Sequence, residues 1–365
     1  MQMGEPGGVR SLLPQTFSRM HPMTLRFCNP LAAGLAATLW LAPFAALAQQ
    51  EVTLYTTREQ GLIQPLLASF SAESGVKVNT VYLKDGLLER VKAEGERSPA
   101  DVLMAVDIGN LVDLVDGGVT QPVRSPALES AIPANLRAPD GQWFSLSMRE
   151  RVLYLDKASP LTAFRYEDLA DPKYKGKVCI RAGQHPYNTA LVAAMIAHDG
   201  AEATEKWLRG VKANLARKAA GGDRDVARDI VGGICDIGIA NSYYVGQMKT
   251  SAAGTDARKW GDGIKAIRPT FARSGGTHVN VSGAAVAKNA PNRANAVKLL
   301  EYLVSESAQA QYARGNFEQP VRAGVKADDT VAGFGPLKVD PLPLGEIAKN
   351  RKQASALVDK VGFDQ

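Results

Sequence analysis

At 365 residues the chain has the length for two domains, each with a core of its own. Its 43 Lys and Arg against 37 Asp and Glu leave a charge of +6 with no long basic run, which argues against nucleic acid as a partner. Its three cysteines include no Cys-x-x-Cys pair, and the 45% apolar and 22% charged content is that of a soluble protein.

The first 48 residues read as an extension and a targeting segment. Arg26 precedes the apolar run 30–42, and Ala46-Leu47-Ala48 supplies a small-x-small cleavage site. That is the order of a secretory signal peptide, so the mature chain is expected to begin near Gln49, in the periplasm and free of the membrane. The apolar core is short for a membrane span. Residues 1–19 look like an extension upstream of a start at Met20 or Met23, and Cys28 lies before the apolar run, the wrong place for a lipoprotein cysteine. Export leaves Cys179 and Cys235, for which a disulfide in an oxidising compartment and two buried thiols on one sheet are equal readings.

In the mature part, residues 51–56 alternate and predict a first strand, followed by the loop Arg58-Glu59-Gln60-Gly61 and a helix over 62–71. Strands over 76–82 and 99–104, with helices over 86–96 and 110–115, continue the alternation. This pattern predicts a parallel sheet flanked by helices. In such sheets ligands meet the loops at strand ends, and Arg58, ahead of a helix N-terminus, is either an anion clamp or a solvated arginine. Residues 122–140 read as irregular and 143–156 as one strand long enough to pass between domains. A short strand around Cys179 leads into a loop over 181–188 and a helix over 189–198. Helices around Trp207 and over 223–231 precede the strand-like run 234–239. Strands over 269–271 and 278–286, helices over 294–305 and 308–312, a turn over 316–321 and a single helix over 345–360 complete the chain.

The run 234–239 ends in Ala240-Asn241-Ser242-Tyr243-Tyr244. Neighbouring side chains of a strand face opposite ways. For both phenols to reach one site, the chain must turn near Asn241, at the carboxyl end of a strand, where open α/β sheets bind ligands. Phenolate is a hard oxygen donor suited to a trivalent cation such as Fe3+, and three phenolates balance its charge. A Tyr-Tyr pair taken alone is more often half-buried packing than metal ligation. Tyr187 is the upstream partner, while Tyr55 and Tyr154, inside strands, read as structural. His185, two residues before Tyr187, reads as a loop or capping histidine. The sequence has no Gly-x-Ser-x-Gly, His-Glu-x-x-His or Walker loop, which speaks against an enzyme.

The chain resembles the periplasmic ferric-ion-binding proteins of bacterial iron(III) ABC transporters. The resemblance is carried by residues 51–58, Pro99-Ala100-Asp101-Val102-Leu103, Arg149-Glu150-Arg151-Val152, the 166–176 segment, and Pro186-Tyr187-Asn188. It continues through Asn241-Ser242-Tyr243-Tyr244, 278–283 and Glu318-Gln319-Pro320-Val321. A tyrosine 56 positions before the first Tyr of an Asn-Ser-Tyr-Tyr is the most specific of these signs. The resemblance implies a two-lobed, transferrin-like type II periplasmic binding fold of α/β lobes with the ligand between them. Lobe 1 is expected over 49–148 and 274–325, and lobe 2 over 149–273 and 326–365.

It further implies a non-enzymatic monomeric carrier that holds Fe3+ through Tyr187, Tyr243 and Tyr244 with a synergistic anion such as carbonate. The cargo passes to an inner-membrane ABC permease with its ATPase. Arg58 matches the family's anion-binding arginine, with Arg149 as a second contact. Where relatives carry a histidine, or His followed by Tyr, this chain has Glu59 and Gln60, so Glu59 is a candidate ligand and Gln60 a candidate anion contact. The glutamate some relatives use after the third strand is replaced by Val106-Asp107, which predicts fewer protein ligands, completed by anion or water. The alternative reading keeps the fold and changes the cargo to thiamine, a polyamine, a phosphonate or a ferric chelate.

Overall fold

The computed structural model describes residues 50–365; the expected extension and signal peptide, with their cleavage site, lie outside the described residues. The chain opens with β1 (Glu51–Thr56), α1 (Gln60–Ser74), β2 (Lys77–Tyr82), α2 (Leu87–Glu94), β3 (Val102–Val106), α3 (Ile108–Asp116), β4 (Thr120–Gln121) and α4 (Pro126–Ala131). The long β5 (Phe144–Asp156) leads to β6 (Val178–Ile180), α5 (Pro186–Asp199), α6 (Ala201–Ala213), α7 (Asp223–Val231), β7 (Ile237–Asn241), α8 (Tyr243–Lys249), α9 (Asp256–Gly263) and β8 (Ile264–Ile267). The chain closes with β9 (Val279–Ala287), α10 (Arg293–Leu303), α11 (Glu306–Asn316), α12 (Asp329–Ala332), α13 (Leu344–Lys349) and α14 (Arg351–Lys360).

The strands run in the order β2-β1-β3-β9-β5-β7-β6, with β4 beside β9 and β8 beside β5. Parallel pairs sit at the two outer ends, β1 with β2 and β3, and β6 with β7. Between them β9 and β5 are antiparallel to their neighbours. Each half is thus a mixed α/β layer, and β5 belongs to both. Its first residues, Phe144–Glu150, pair with β9 through a register shift at Ser145/Ser147, and Arg151–Leu155 pair with β7. All of β5 but Asp156 is buried, including the consecutive charges Arg149, Glu150 and Arg151. A charged triplet inside a buried strand needs partners on both faces. Period two divides them: Arg149 and Arg151 share one face, while Glu150, on the other, pairs with Arg268 at 2.9 Å.

Behind the second half, α7 packs so closely that a Cβ on Gly238 of β7 would lie 2.3 Å from Val226; only glycine fits there. Cys179 on β6 and Cys235, in the turn before β7, form a disulfide with Cα atoms 5.8 Å apart, spanning 56 positions. Both sulfurs lie in a core cluster with Val152, Ile230 and Met248. The two-thiol reading is therefore set aside.

Other expectations are corrected. Residues 122–140 are not wholly irregular: Ser125 caps α4, its hydroxyl accepting from Leu128 N at 3.2 Å, with Pro126 opening the helix. The expected strand over 269–271 is a single bridge, Arg165 to Thr270, and the strand lies earlier, as β8, paired with β5. The C-terminal helix is two, divided at Asn350. The strand before the tyrosines begins at Ile237 rather than Ile234, because the preceding turn holds Cys235 in its bond. No helix among the described residues is long and apolar enough to cross a membrane.

Candidate functional site

Strands β6 and β7 are parallel neighbours, so their carboxyl ends emerge side by side. Each is followed by a helix that carries tyrosine in its first turn. Tyr187 is in the first turn of α5, and Tyr243 and Tyr244 open α8 directly after Asn241 and Ser242. The helical turn after Asn241 brings the adjacent phenols to one side. Their rings lie 4.2 Å apart, and the hydroxyls of Tyr187 and Tyr243 are 3.3 Å apart. Tyr243 is buried, and Tyr187 and Tyr244 are half-buried. All three line a cavity of about 240 Å³ whose opposite wall holds Thr57, Arg58, Glu59, Leu62 and Glu318, with Arg149 deeper in and Arg224 and Gln247 on the tyrosine side.

The tyrosine wall stands on a buried polar frame. Asp223, at the start of α7, accepts from Arg151 Nη1 at 2.8 Å, from Arg181 Nη1 at 3.3 Å and from the Asn241 backbone at 2.7 Å. Arg151 also donates to the Asn188 and Asn241 side chains. One carboxylate thus ties together the strand that precedes α8, the residue after Tyr187, and the crossing strand β5. Three guanidinium groups surround the Tyr187 ring, from Arg181 at 5.1 Å, Arg149 at 5.4 Å and Arg151 at 5.9 Å. Arg224 lies over Tyr244 at 4.8 Å.

His185 caps α5: its Nδ1 accepts from Tyr187 N at 3.2 Å, the capping role expected for it. Burial, aided by Arg181 and Arg151, lowers its pKa to about 4, so the ring is neutral at pH 7 and free to accept. Burial pushes the Tyr243 phenol well above its usual value, and Tyr187 and Tyr244 add to this while Arg149 opposes it. Tyr244 is raised too, by burial first and then by Tyr187 and Asp223. Tyr243 and Tyr244 are therefore held as neutral phenols at pH 7.

On the facing wall the expected residues divide. Arg58 lines the cavity but is not solvated: it is buried, its Nη2 is 2.5 Å from Glu318 Oε1, and its Nη1 donates to Ser282 Oγ at 3.0 Å. Burial works against its charge, but Glu318, with Tyr312 and Tyr243 adding to it, more than offsets burial and raises the arginine's pKa. Arg149 is buried, donates to Val281 O at 2.7 Å and reaches the Tyr187 hydroxyl at 3.5 Å. Glu59 is exposed on the rim as the residue ahead of α1. Gln60, the first residue of α1, is exposed and is not among the residues lining the cavity.

Asp107 is engaged structurally, accepting from Gly109 N at 2.8 Å and Asn280 Nδ2 at 2.6 Å. Tyr55 and Tyr154 hold structural posts, the first on Glu94 and the second on the Asn241 carbonyl. Glu318, Asp223, Arg224 and Gln247 were not singled out from sequence for any role at the site. Only Glu318 carried a signal, as part of the quoted Glu-Gln-Pro-Val turn.

A mixed α/β chain in two halves that share the long strand β5, with a polar cavity between facing loops, is a type II periplasmic binding protein. The chain belongs to the family described as bacterial extracellular solute-binding proteins, whose model matches residues 97–333. It is similar to a solved Bordetella ferric binding protein, at 75% identity and a TM-score of 0.84, covering 87% of this chain and all of that one. It is 42% identical to iron uptake protein A1 of Synechocystis sp. over 86% of this chain and 88% of that protein. A Trichodesmium structure in complex with iron and citrate ligands shares 40% identity at a TM-score of 0.81, covering 86% of this chain and 99% of that one.

Proposed function

We propose that this chain captures ferric ion in the periplasm and delivers it, as a monomer, to an inner-membrane ABC permease with its ATPase. The observation that carries the reading is the convergence of three phenols from two neighbouring helix starts on one cavity, with two hydroxyls 3.3 Å apart. The printed names of its relatives, ferric binding and iron uptake proteins, favour the same cargo. Tyr187, Tyr243 and Tyr244 are the proposed iron ligands. An oxyanion of the carbonate class completes the coordination beside Arg149 and Arg58, with lobes over 49–148 plus 274–325 and 149–273 plus 326–365 closing by hinge motion. Phenols serve a trivalent cation better than thiamine, a polyamine or a phosphonate, which call for aromatic boxes or other charges.

Loading displaces protons from phenols whose pKa values are raised, so iron affinity must fall as pH falls; acid releases the cargo. The test is the visible spectrum of the purified mature protein before and after equimolar ferric citrate at neutral pH, followed by acid titration. A red-orange phenolate-to-iron band that fades with acid is the expected result. No band, with a small organic molecule raising thermal stability instead, overturns the iron assignment. Uptake as a chelate is a second reading, favoured by the iron and citrate in the Trichodesmium relative and by the exposed Arg224 on the rim of the cavity. Its mark is citrate retained in equal amount with iron after gel filtration.

A further inference from the structure

Glu318 faces the tyrosines, and nothing in the reading above employs it. Its carboxylate is buried, with Oε1 on Arg58 and Oε2 accepting from Ser147 Oγ. The charge of Arg58 is therefore already matched from within the chain, by a residue 260 positions away. Arg149 differs. Its Nη2 is spent on a carbonyl, and among the described residues no carboxylate forms an ion pair with it, although it too feels the charge of Glu318. Asp107, which feels the charge of Arg149 without an ion pair to it, is held by Asn280 and Gly109 and does not line this cavity. The exposed Glu59 and Arg224 on the rim offset each other.

A ferric ion and three phenolates sum to zero. With Arg58 and Glu318 cancelling, and with Arg151 and Arg181 sharing Asp223 behind the tyrosines, Arg149 is the buried cation lining the cavity that has no ion-paired carboxylate among the described residues, and a buried charge without a counter-ion is costly. We propose that Glu318 is a specificity-determining residue for the anion that accompanies iron: by matching Arg58 it selects a singly charged oxyanion, of the formate or bicarbonate kind, over a doubly charged one. This rests on the ferric reading. Neutralising Glu318 leaves two guanidinium charges and turns the preference toward a dianion.

The experiment uses iron-loaded protein, freed of anions by gel filtration and titrated with sodium formate or sodium sulfate at constant ionic strength. The shift of the phenolate-to-iron band reports binding. Wild-type protein is expected to take formate at a lower concentration than sulfate. In Glu318→Gln the formate-to-sulfate affinity ratio falls by at least about tenfold, the scale of one unit charge at short range in a partly screened site. In the double variant Arg58→Gln/Glu318→Gln, which restores the net charge, the ratio returns to near the wild-type value; a merely structural role for Glu318 predicts no such return. An unchanged ratio in Glu318→Gln overturns the proposal, and so does a double variant that keeps the sulfate preference. Should Glu318→Gln fail to fold, tighter binding of sulfate than formate by the wild-type protein overturns it as well. Absence of the band in unmodified protein is a different failure, that of the ferric reading itself.

Discussion

The two walls of the cavity are built in opposite ways. The tyrosine wall is assembled from chain-adjacent pieces: parallel strands β6 and β7, the helices that follow them, a disulfide behind and the Asp223 frame beneath. The facing wall brings together residues distant in the chain. Arg58 follows β1, Glu318 follows α11, and the two meet only because β9 and the 316–319 turn lie against β5, where Met148 and Gln319 exchange backbone hydrogen bonds. One wall presents phenol oxygens on a fixed frame; the other presents the paired charges of Arg58 and Glu318. The comparison separates two tasks of a solute site: shape and ligand identity belong to the framed wall, and electrostatic balance to the other.

Removing the frame is the harshest way to break this contrast. Asp223→Asn leaves Arg151 and Arg181 without their carboxylate, and a buried pair broken on one side costs about 3–5 kcal/mol. Urea unfolding measures the loss, and a loss under about 1 kcal/mol would show that the frame is dispensable. The double variant Cys179→Ala/Cys235→Ala is expected to cost about 2–4 kcal/mol, since it frees a loop of 56 positions in the unfolded chain. Calorimetry should show a lower Tm that matches reduced wild-type protein.

Tyr243→Phe keeps the packing against Tyr244 and removes one donor. Iron affinity should drop by about a hundredfold, about 2.7 kcal/mol, with stability nearly unchanged. Competition against a chelator measures it, and a full-strength band in this variant would remove Tyr243 from the ligand set. The smallest effect belongs to the rim. Glu59→Gln should change iron affinity by less than about threefold, because an exposed carboxylate is well screened. A hundredfold loss there would make Glu59 a ligand and shift the contrast between the walls.

The framed wall was the more legible in sequence, for a physical reason. A strand that runs into Asn-Ser-Tyr-Tyr must turn if both phenols are to reach one site, and that inference uses only neighbours in the chain. The Arg58–Glu318 pair spans the whole fold, and no local pattern separates a buried arginine with an internal partner from a solvated one. Asp223 was hidden for a related reason: as the first residue of α7 it reads as an ordinary N-terminal acid, while its carboxylate turns inward to two arginines. Strand β8 was missed because it has only four residues and gains its identity from pairing with β5. The C-terminal helix was read as continuous because its apolar spacing runs through Asn350, where α13 gives way to α14.

The disulfide has a consequence in time as well as in energy. It joins the strand that feeds Tyr187 to the turn that feeds Tyr243, and it forms only where thiols can be oxidised. A copy of this chain held among reduced thiols presents the same phenols on an unfastened pair of strands. The tyrosine wall therefore matures by place: it is fastened only where the disulfide can form, and on the ferric reading proposed above a newly made copy is expected to bind metal more weakly than a finished one.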